Sequence, residues 1–366
     1  MNGNSQYHIA LSLLGIGGKK KLRRILNEAG DIETFFKMSK QKMKEIPGVG
    51  EKFILHLNRD QALLDAENYL PFIENSGVNS IYFEDVNYPS RLLECDDTPL
   101  VLYSKGAMNV NQQKAVAIIG TRYATDYGRQ ICNELIENLK DKNILVVSGL
   151  AYGIDIYAHQ KCLENNLQTI AVLGHGLDRL YPSLHRPIAE KMLLNGGLIT
   201  EFLPGIKPDR ENFPMRNRIV AGMCDATIVI ESGEKGGSLI TAEMASGYAR
   251  DVFAYPGNVF QPFSKGCNEL IKKDIARVIT CAEDFLKWMN WDNQKQEIKQ
   301  LELFPDLNPL EQSVVEILKG TLLMHIDPLS LQLKMPIHQL SGLLLQMELN
   351  NIVVALPGDN YAVNVS

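Results

Sequence analysis

Residues 114–155 read KAVAIIGTRYATDYGRQICNELIENLKDKNILVVSGLAYGID, and their rhythm decides the fold. Two short runs rich in β-branched residues, Ala115–Ile119 and Ile144–Val147, each end in a glycine-bearing loop. The first loop is Gly120-Thr121-Arg122 and the second runs from Ser148 to Asp155, with an amphipathic stretch between the two strands. Strand, loop, helix, strand is the order of a parallel sheet covered on both faces, because parallel neighbours need a crossover connection. The same rhythm continues through the runs Thr169–Leu173, Leu198–Glu201, Ala226–Glu231 and Val252–Tyr255. The expected fold class from about Lys114 to Phe285 is therefore α/β, a doubly wound sheet.

Outward from this centre the pattern changes. Residues 61–110 read as a connecting helix and an added edge of the sheet, the latter at Pro99-Leu100-Val101-Leu102-Tyr103. Residues 1–60 read as short helices broken by two similar hairpins, Leu14-Gly15-Ile16-Gly17 and Ile46-Pro47-Gly48-Val49-Gly50, whose glycines permit tight turns. This resembles a pair of helix-hairpin-helix motifs in a small SAM-like helical domain. Such modules either bring backbone N–H groups to a phosphate or pack on a neighbour, and both readings stand. Residues 286–309 lose the rhythm and read as a polar linker. Beyond it come helices at Glu311–Lys319, near Pro328–Leu333 and at Ile337–Asn350, then strands Val353–Leu356 and Tyr361–Val363 about Pro357-Gly358-Asp359-Asn360. That is the order of a winged helix. The expected division is 1–65, 66–285, a linker at 286–309, and 310–366.

Charge narrows the choice of partner. The chain carries −6 in total, yet residues 1–60 hold eleven Lys/Arg against six acids, a net of +5 that leaves −11 for the rest. A nucleic-acid site in the remainder must be a local patch on an acidic body. The final segment 306–366 has only Lys319 and Lys334 against six acids, too little for a groove-reading domain, and reads as a protein-interaction or dimer-supporting module. The six cysteines form no C-x-x-C pair, so neither a zinc site nor a disulfide framework is expected. The opening MNGNSQYHIALSLLGIGGKKK has its lysines after the apolar stretch, the wrong order for a secretory signal, and no run is long enough to span a membrane. A cytoplasmic location is expected.

In an open α/β sheet, ligands sit at the carboxyl ends of the strands. Those ends carry Gly120-Thr121-Arg122, Ser148 to Asp155, Gly174-His175-Gly176-Leu177-Asp178, Phe213-Pro214-Met215-Arg216-Asn217-Arg218, Glu231 to Ser238 and Pro256-Gly257-Asn258. Glycine, hydroxyl and arginine at every end compose a phosphate-binding rim. None of these loops has the spacing of a dinucleotide or nucleoside-triphosphate motif, so no such cofactor is expected. The stretch around Arg210, Phe213, Arg216 and Arg218 offers arginines for phosphates and an aromatic face for a base, a combination suited to single strands. Phe213 is also compatible with ordinary burial, and Arg216 or Arg218 with an ion pair inside the domain. Ser238 is also compatible with a helix cap, Asp155 with a cap on the helix through His159, and His159 with packing on that helix.

Taken in order, Gly120-Thr121-Arg122, Ser148–Asp155, Tyr181-Pro182, Phe213-Pro214-x-Arg216-Asn217-Arg218, Glu231-Ser232, Lys235-x-Gly237-Ser238-Leu239-Ile240-Thr241-Ala242 and Pro256-Gly257 resemble the DprA/Smf family of DNA-processing proteins along nearly the whole chain. The resemblance implies an extended Rossmann-like domain that binds single-stranded DNA at the strand ends, homodimers, and recruitment of RecA recombinase during natural transformation. It implies DNA contacts by Gly120, Thr121, Arg122, Ser148, Gly149, Arg210, Phe213, Arg216, Asn217, Arg218, Lys235, Gly237 and Ser238, with no catalysis, metal or cofactor. Where the family commonly has asparagine after Tyr181-Pro182 this chain has His185, to which no DNA role is given. The competing expectation is a nucleotide-binding or nucleotide-hydrolysing enzyme of the related lysine-decarboxylase-like superfamily, whose Gly-Gly-x-Gly-Thr-x-x-Glu spacing is not met at Lys235–Glu243.

Overall fold

The structure is a computed structural model that describes residues 5–16, 19–292, 307–319, 323–350 and 352–364. It contains two compact units, Met1–Asp292 and Asn293–Ser366. The first is built on a nine-stranded sheet: β1 (Asn79–Tyr82), β2 (Val101–Lys105), β3 (Lys114–Ile119), β4 (Ile144–Ser148), β5 (Thr169–Val172), β6 (Gly196–Thr200), β7 (Ala226–Val229), β8 (Asp251–Ala254) and β9 (Arg277–Val278), in the order β1-β2-β6-β5-β4-β3-β7-β8-β9. From β6 to β9 every pairing is parallel. β1 and β2 form an antiparallel edge beyond β6.

Alternation along β3 explains why helices cover both faces. Val116 and Ile118 pack with Cys132, Leu135, Ile136 and Leu139 of the helix Asp126–Leu139. Ala115, Ala117 and Ile119 pack on the other side, with Ile219 and Val220 of the helix Asn212–Gly222 and Ala242 and Ala245 of the helix Gly237–Gly247. Successive side chains of a strand point to opposite faces, so both stripes are apolar, and each buried branched residue contributes about 1.5–3 kcal/mol. The chain lays β3 to β6 outward on one side and then returns to lay β7 to β9 on the other. The strand order therefore reverses between β3 and β7, and a crevice opens at their carboxyl ends.

The N-terminal helices share a core with this sheet: Ile9, Leu22, Ile25 and Phe35 belong to the same buried cluster as Leu102 and Tyr103. Gly15 and Gly48 have φ of +57° and +80°, the left-handed turns expected of the hairpins, while Gly17 lies outside the described residues. Some of the basic residues near them face inward or pair locally, while Arg24, Lys40, Lys42 and Lys52 are exposed. Lys19 is buried and donates to the carbonyls of Leu93 and Cys95, Lys20 pairs with Asp96, Lys21 sits over the Phe53 ring, and Arg59 donates to the carbonyls of Phe35 and Met38.

Residues 286–292, expected in a linker, belong to the first unit: the helix Ala282–Trp288 runs into them, and Trp291 packs edge-on against Phe285. Of the remaining linker, 293–306 lies outside the described residues. The second unit has helices Pro309–Lys319, Ile326–Leu333 and Ile337–Leu349 around Val314, Leu318, Leu329, Leu340 and Leu344. Its sheet joins β10 (Met324–His325), β11 (Val353–Leu356) and β12 (Asn360–Val363) in the order β10-β12-β11, a winged helix. No helix among the described residues is long and apolar enough to cross a membrane.

Candidate nucleic-acid interface

Buried Glu231, just after β7, ties together the two sides of the crevice. Its carbonyl accepts from the Thr121 N–H at 2.7 Å, and its carboxylate accepts from the Thr125 N–H at 3.0 Å and the Thr125 hydroxyl at 2.6 Å. Thr125 in turn caps the helix Asp126–Leu139. The loop 120–125 is thus fixed at both ends, which leaves Arg122 and Tyr123 exposed between them. Gly153, with φ +79°, lies directly beneath: a Cβ there would stand 2.1 Å from the Thr121 carbonyl oxygen, so only glycine lets the two loops meet.

The floor of the crevice is an arginine laid over a glycine. Arg216 is only 5% exposed; its Nη1 donates to the Val172 carbonyl at 3.1 Å, and a Cβ on Gly149 would fall 1.5 Å from that nitrogen. Asp155 accepts from the N–H groups of Gly149 at 3.1 Å and Ala151 at 3.4 Å. Burial raises the Asp155 pKa against the pull of the Arg216 charge, and burial lowers the Arg216 pKa against that of Asp155. The helix Ile154–Glu164 has Gly153 at its cap position, so Asp155 braces the neighbouring loop and does not cap its own helix. His159, behind it, is fully buried against Thr169 at 2.7 Å.

Above this floor is a cleft of about 790 Å³. Arg122, Arg210 and Lys235 are exposed around it, Phe213 and Asn217 are half-buried in its wall, and the Arg122 guanidinium lies 5.6 Å from the Phe213 ring centre. Gly120, Thr121, Gly149, Arg216, Gly237 and Ser238 complete the expected residues that line it. The helix Gly237–Gly247 begins here with open space above Gly237, so its first N–H groups and its dipole favour an anion. Ser238 does not cap the helix; Gly236 holds that position, and the Ser238 hydroxyl donates to Ser232 at 2.8 Å.

Two expected contacts are not brought to the cleft. The Ser148 hydroxyl is buried and donates to the Ile118 carbonyl at 2.6 Å, stitching β4 to β3. Arg218, two residues along the helix from Arg216, turns away and pairs with Glu201 and the Asp97 carbonyl. The aromatics Tyr123 and Phe263 were not expected there. They line the cleft as a stacked pair with ring centres 6.0 Å apart and planes at 22°. Tyr123 directly follows Gly120-Thr121-Arg122, a signal that marks it, whereas Phe263 lies beyond Pro256-Gly257-Asn258 between Pro262 and Ser264 and carries none.

This cleft lies on a chain that matches known proteins over both units. The family model for DNA recombination-mediator protein A matches residues 79–290, and that for the DprA winged helix domain matches 303–359. The chain belongs to the DprA/Smf family. Protein Smf of Escherichia coli K12 is 32% identical over 299 residues, 80% of this chain and 79% of that protein. DprA of Bacillus subtilis 168 is 38% identical over 212 residues, 58% of this chain and 71% of that one. Among solved structures, DprA of Streptococcus pneumoniae is 30% identical with a TM-score of 0.64, covering 77% of this chain and 97% of that chain. DprA of Helicobacter pylori, whose structure concerns its single-stranded DNA binding mode, is 29% identical with a TM-score of 0.54, covering 59% and 96%. The DprA/Smf assignment makes this a DNA-processing protein with a Rossmann-like sheet and a winged helix.

Proposed function

We propose that the cleft binds single-stranded DNA, and that the protein acts without catalysis, as a cytoplasmic homodimer that protects incoming single strands and loads RecA onto them in transformation and recombination. The observation that carries the reading is the grouping of exposed Arg122, Arg210 and Lys235 with Phe213 and the Tyr123–Phe263 stack at the strand-order reversal. Cations contact phosphates without reading sequence, and ring faces accept any unpaired base, which a duplex does not offer. The carboxylate that lines the cleft, Asp155, is held by two backbone N–H groups, which favours binding over general acid–base work. The single-strand ligand is supported by the Helicobacter relative, while RecA and the homodimer rest on the family resemblance.

Fluorescence anisotropy of labelled oligothymidylate at two salt concentrations tests this reading. The expected result is salt-sensitive binding that exceeds duplex binding and falls by at least tenfold in Arg122→Ala. Binding that ignores oligonucleotide length, or saturates with a mononucleotide, overturns it in favour of a nucleotide site.

A further inference from the structure

The loop Arg122–Tyr123 has a second side. A groove of about 520 Å³ opens there, within the roughly 300–1,000 Å³ typical of small-ligand sites. It shares Arg122 and Tyr123 with the cleft and is otherwise walled by Arg129, Tyr152, Tyr157 and Gln160, together with small or aliphatic residues. The Tyr152 ring is 44% exposed yet held in place: it packs edge-on against His185 at 4.9 Å, and the His185 Nδ1 is hydrogen-bonded to the Leu150 carbonyl at 2.8 Å. Arg129 pairs at 3.0 Å with Asp126, but both side chains are largely exposed, and such a pair yields readily to a phosphate. The composition repeats that of the cleft: an arginine, a braced aromatic face, and a glycine, Gly153, that lets the backbone come close.

We propose that this groove is a second nucleotide subsite, which takes the next one or two nucleotides of the same strand after it passes over Arg122. Arg129 contacts the phosphate and Tyr152 stacks a base, while Arg122 and Tyr123 serve both subsites. The bound strand thereby crosses the 120–125 loop instead of ending in the cleft. The inference rests on the single-strand reading of the cleft, and the experiment separates the two.

Full-length wild type, Arg122→Ala, Arg129→Gln, Tyr152→Ala and Tyr152→Phe are titrated with oligothymidylates of increasing length and over a range of salt. The expected result is that Tyr152→Ala and Arg129→Gln bind the shortest binding oligomers as wild type does but lose the gain that added length gives, roughly 5- to 100-fold on long strands. Tyr152→Phe keeps that gain, and Arg129→Gln lowers the salt slope by about 0.7, one phosphate on a single strand. Curves equal to wild type at every length overturn the second subsite and leave the cleft standing. An equal loss at every length also overturns it, because the groove is then no separate site. Absence of binding by wild type, or full binding by Arg122→Ala, overturns the cleft reading and the subsite with it.

Discussion

Arg122 and Arg216 line the same cleft and show how burial separates roles that residue type does not. Arg122 is exposed over the Phe213 ring, whereas Arg216 is buried with Asp155 across Gly149. Removing a buried charge leaves its partner uncompensated and costs about 3–5 kcal/mol, while an exposed side chain away from such features changes stability by about 0.5 kcal/mol or less. Arg216→Ala is therefore expected to shift the urea midpoint far down and Arg122→Ala to leave it nearly unchanged. An Arg216→Ala protein as stable as wild type would show that Asp155 does not need it. This division was half legible in the sequence. The arginine-rich stretch marked the right loop and helix, and Phe213 does line the cleft. That Arg218 turns to Glu201 was not legible, because its partner comes from the end of β6 and only the folded sheet brings them together. Tyr123 and Phe263 were missed because attention to glycines and cations passes over lone aromatics, and their pairing joins distant loops.

At the scale of elements, the runs of branched residues placed β3 to β8 within a residue or two, since a fully buried parallel strand has a plain signature. The edge strand β9, two exposed residues long, has none. The N-terminal helices leave both of their expected readings standing: Lys19, Lys21 and Arg59 are engaged within the unit, while Arg24, Lys40, Lys42 and Lys52 are exposed. The helix Asp126–Leu139 depends on a single side chain at its entry, where the loop hangs on Glu231 through Thr125. Hydrogen bonds to a charged acceptor contribute about 1.5–3 kcal/mol, so Glu231→Ala is expected to destabilise by about that much and to speed amide hydrogen exchange across 121–128. Unchanged exchange there would mean that the loop is held by its own turn alone.

For the whole molecule, pH acts through buried histidine. Burial pushes the His159 pKa from its ordinary 6.5 down to about 3, with the Arg216 charge adding to the effect, and burial lowers His8 and His175 in the same sense. Below 6.5 the unfolded chain takes up protons that the folded one refuses, so this stability is complete above pH 6.5 and is lost as pH falls toward 3. Asp155, raised by burial, works in the opposite sense above the ordinary carboxylate value of 3.8. The difference between wild type and His159→Asn isolates the histidine: the wild type is expected to lose about 2 kcal/mol more than the variant between pH 6.5 and pH 5. Parallel pH profiles would place His159 in contact with solvent.

The reversal of strand order between β3 and β7 also sets a schedule. One wall of the cleft, Arg122 and Tyr123, is synthesised early, but the opposite wall from Gly233 to Ser238 follows only after β4, β5, β6 and β7 have been made. The lining of the cleft is complete only once the chain has been made through Phe263, whereas every residue of the groove beside it, Arg122 to Gln160, is already present before β5.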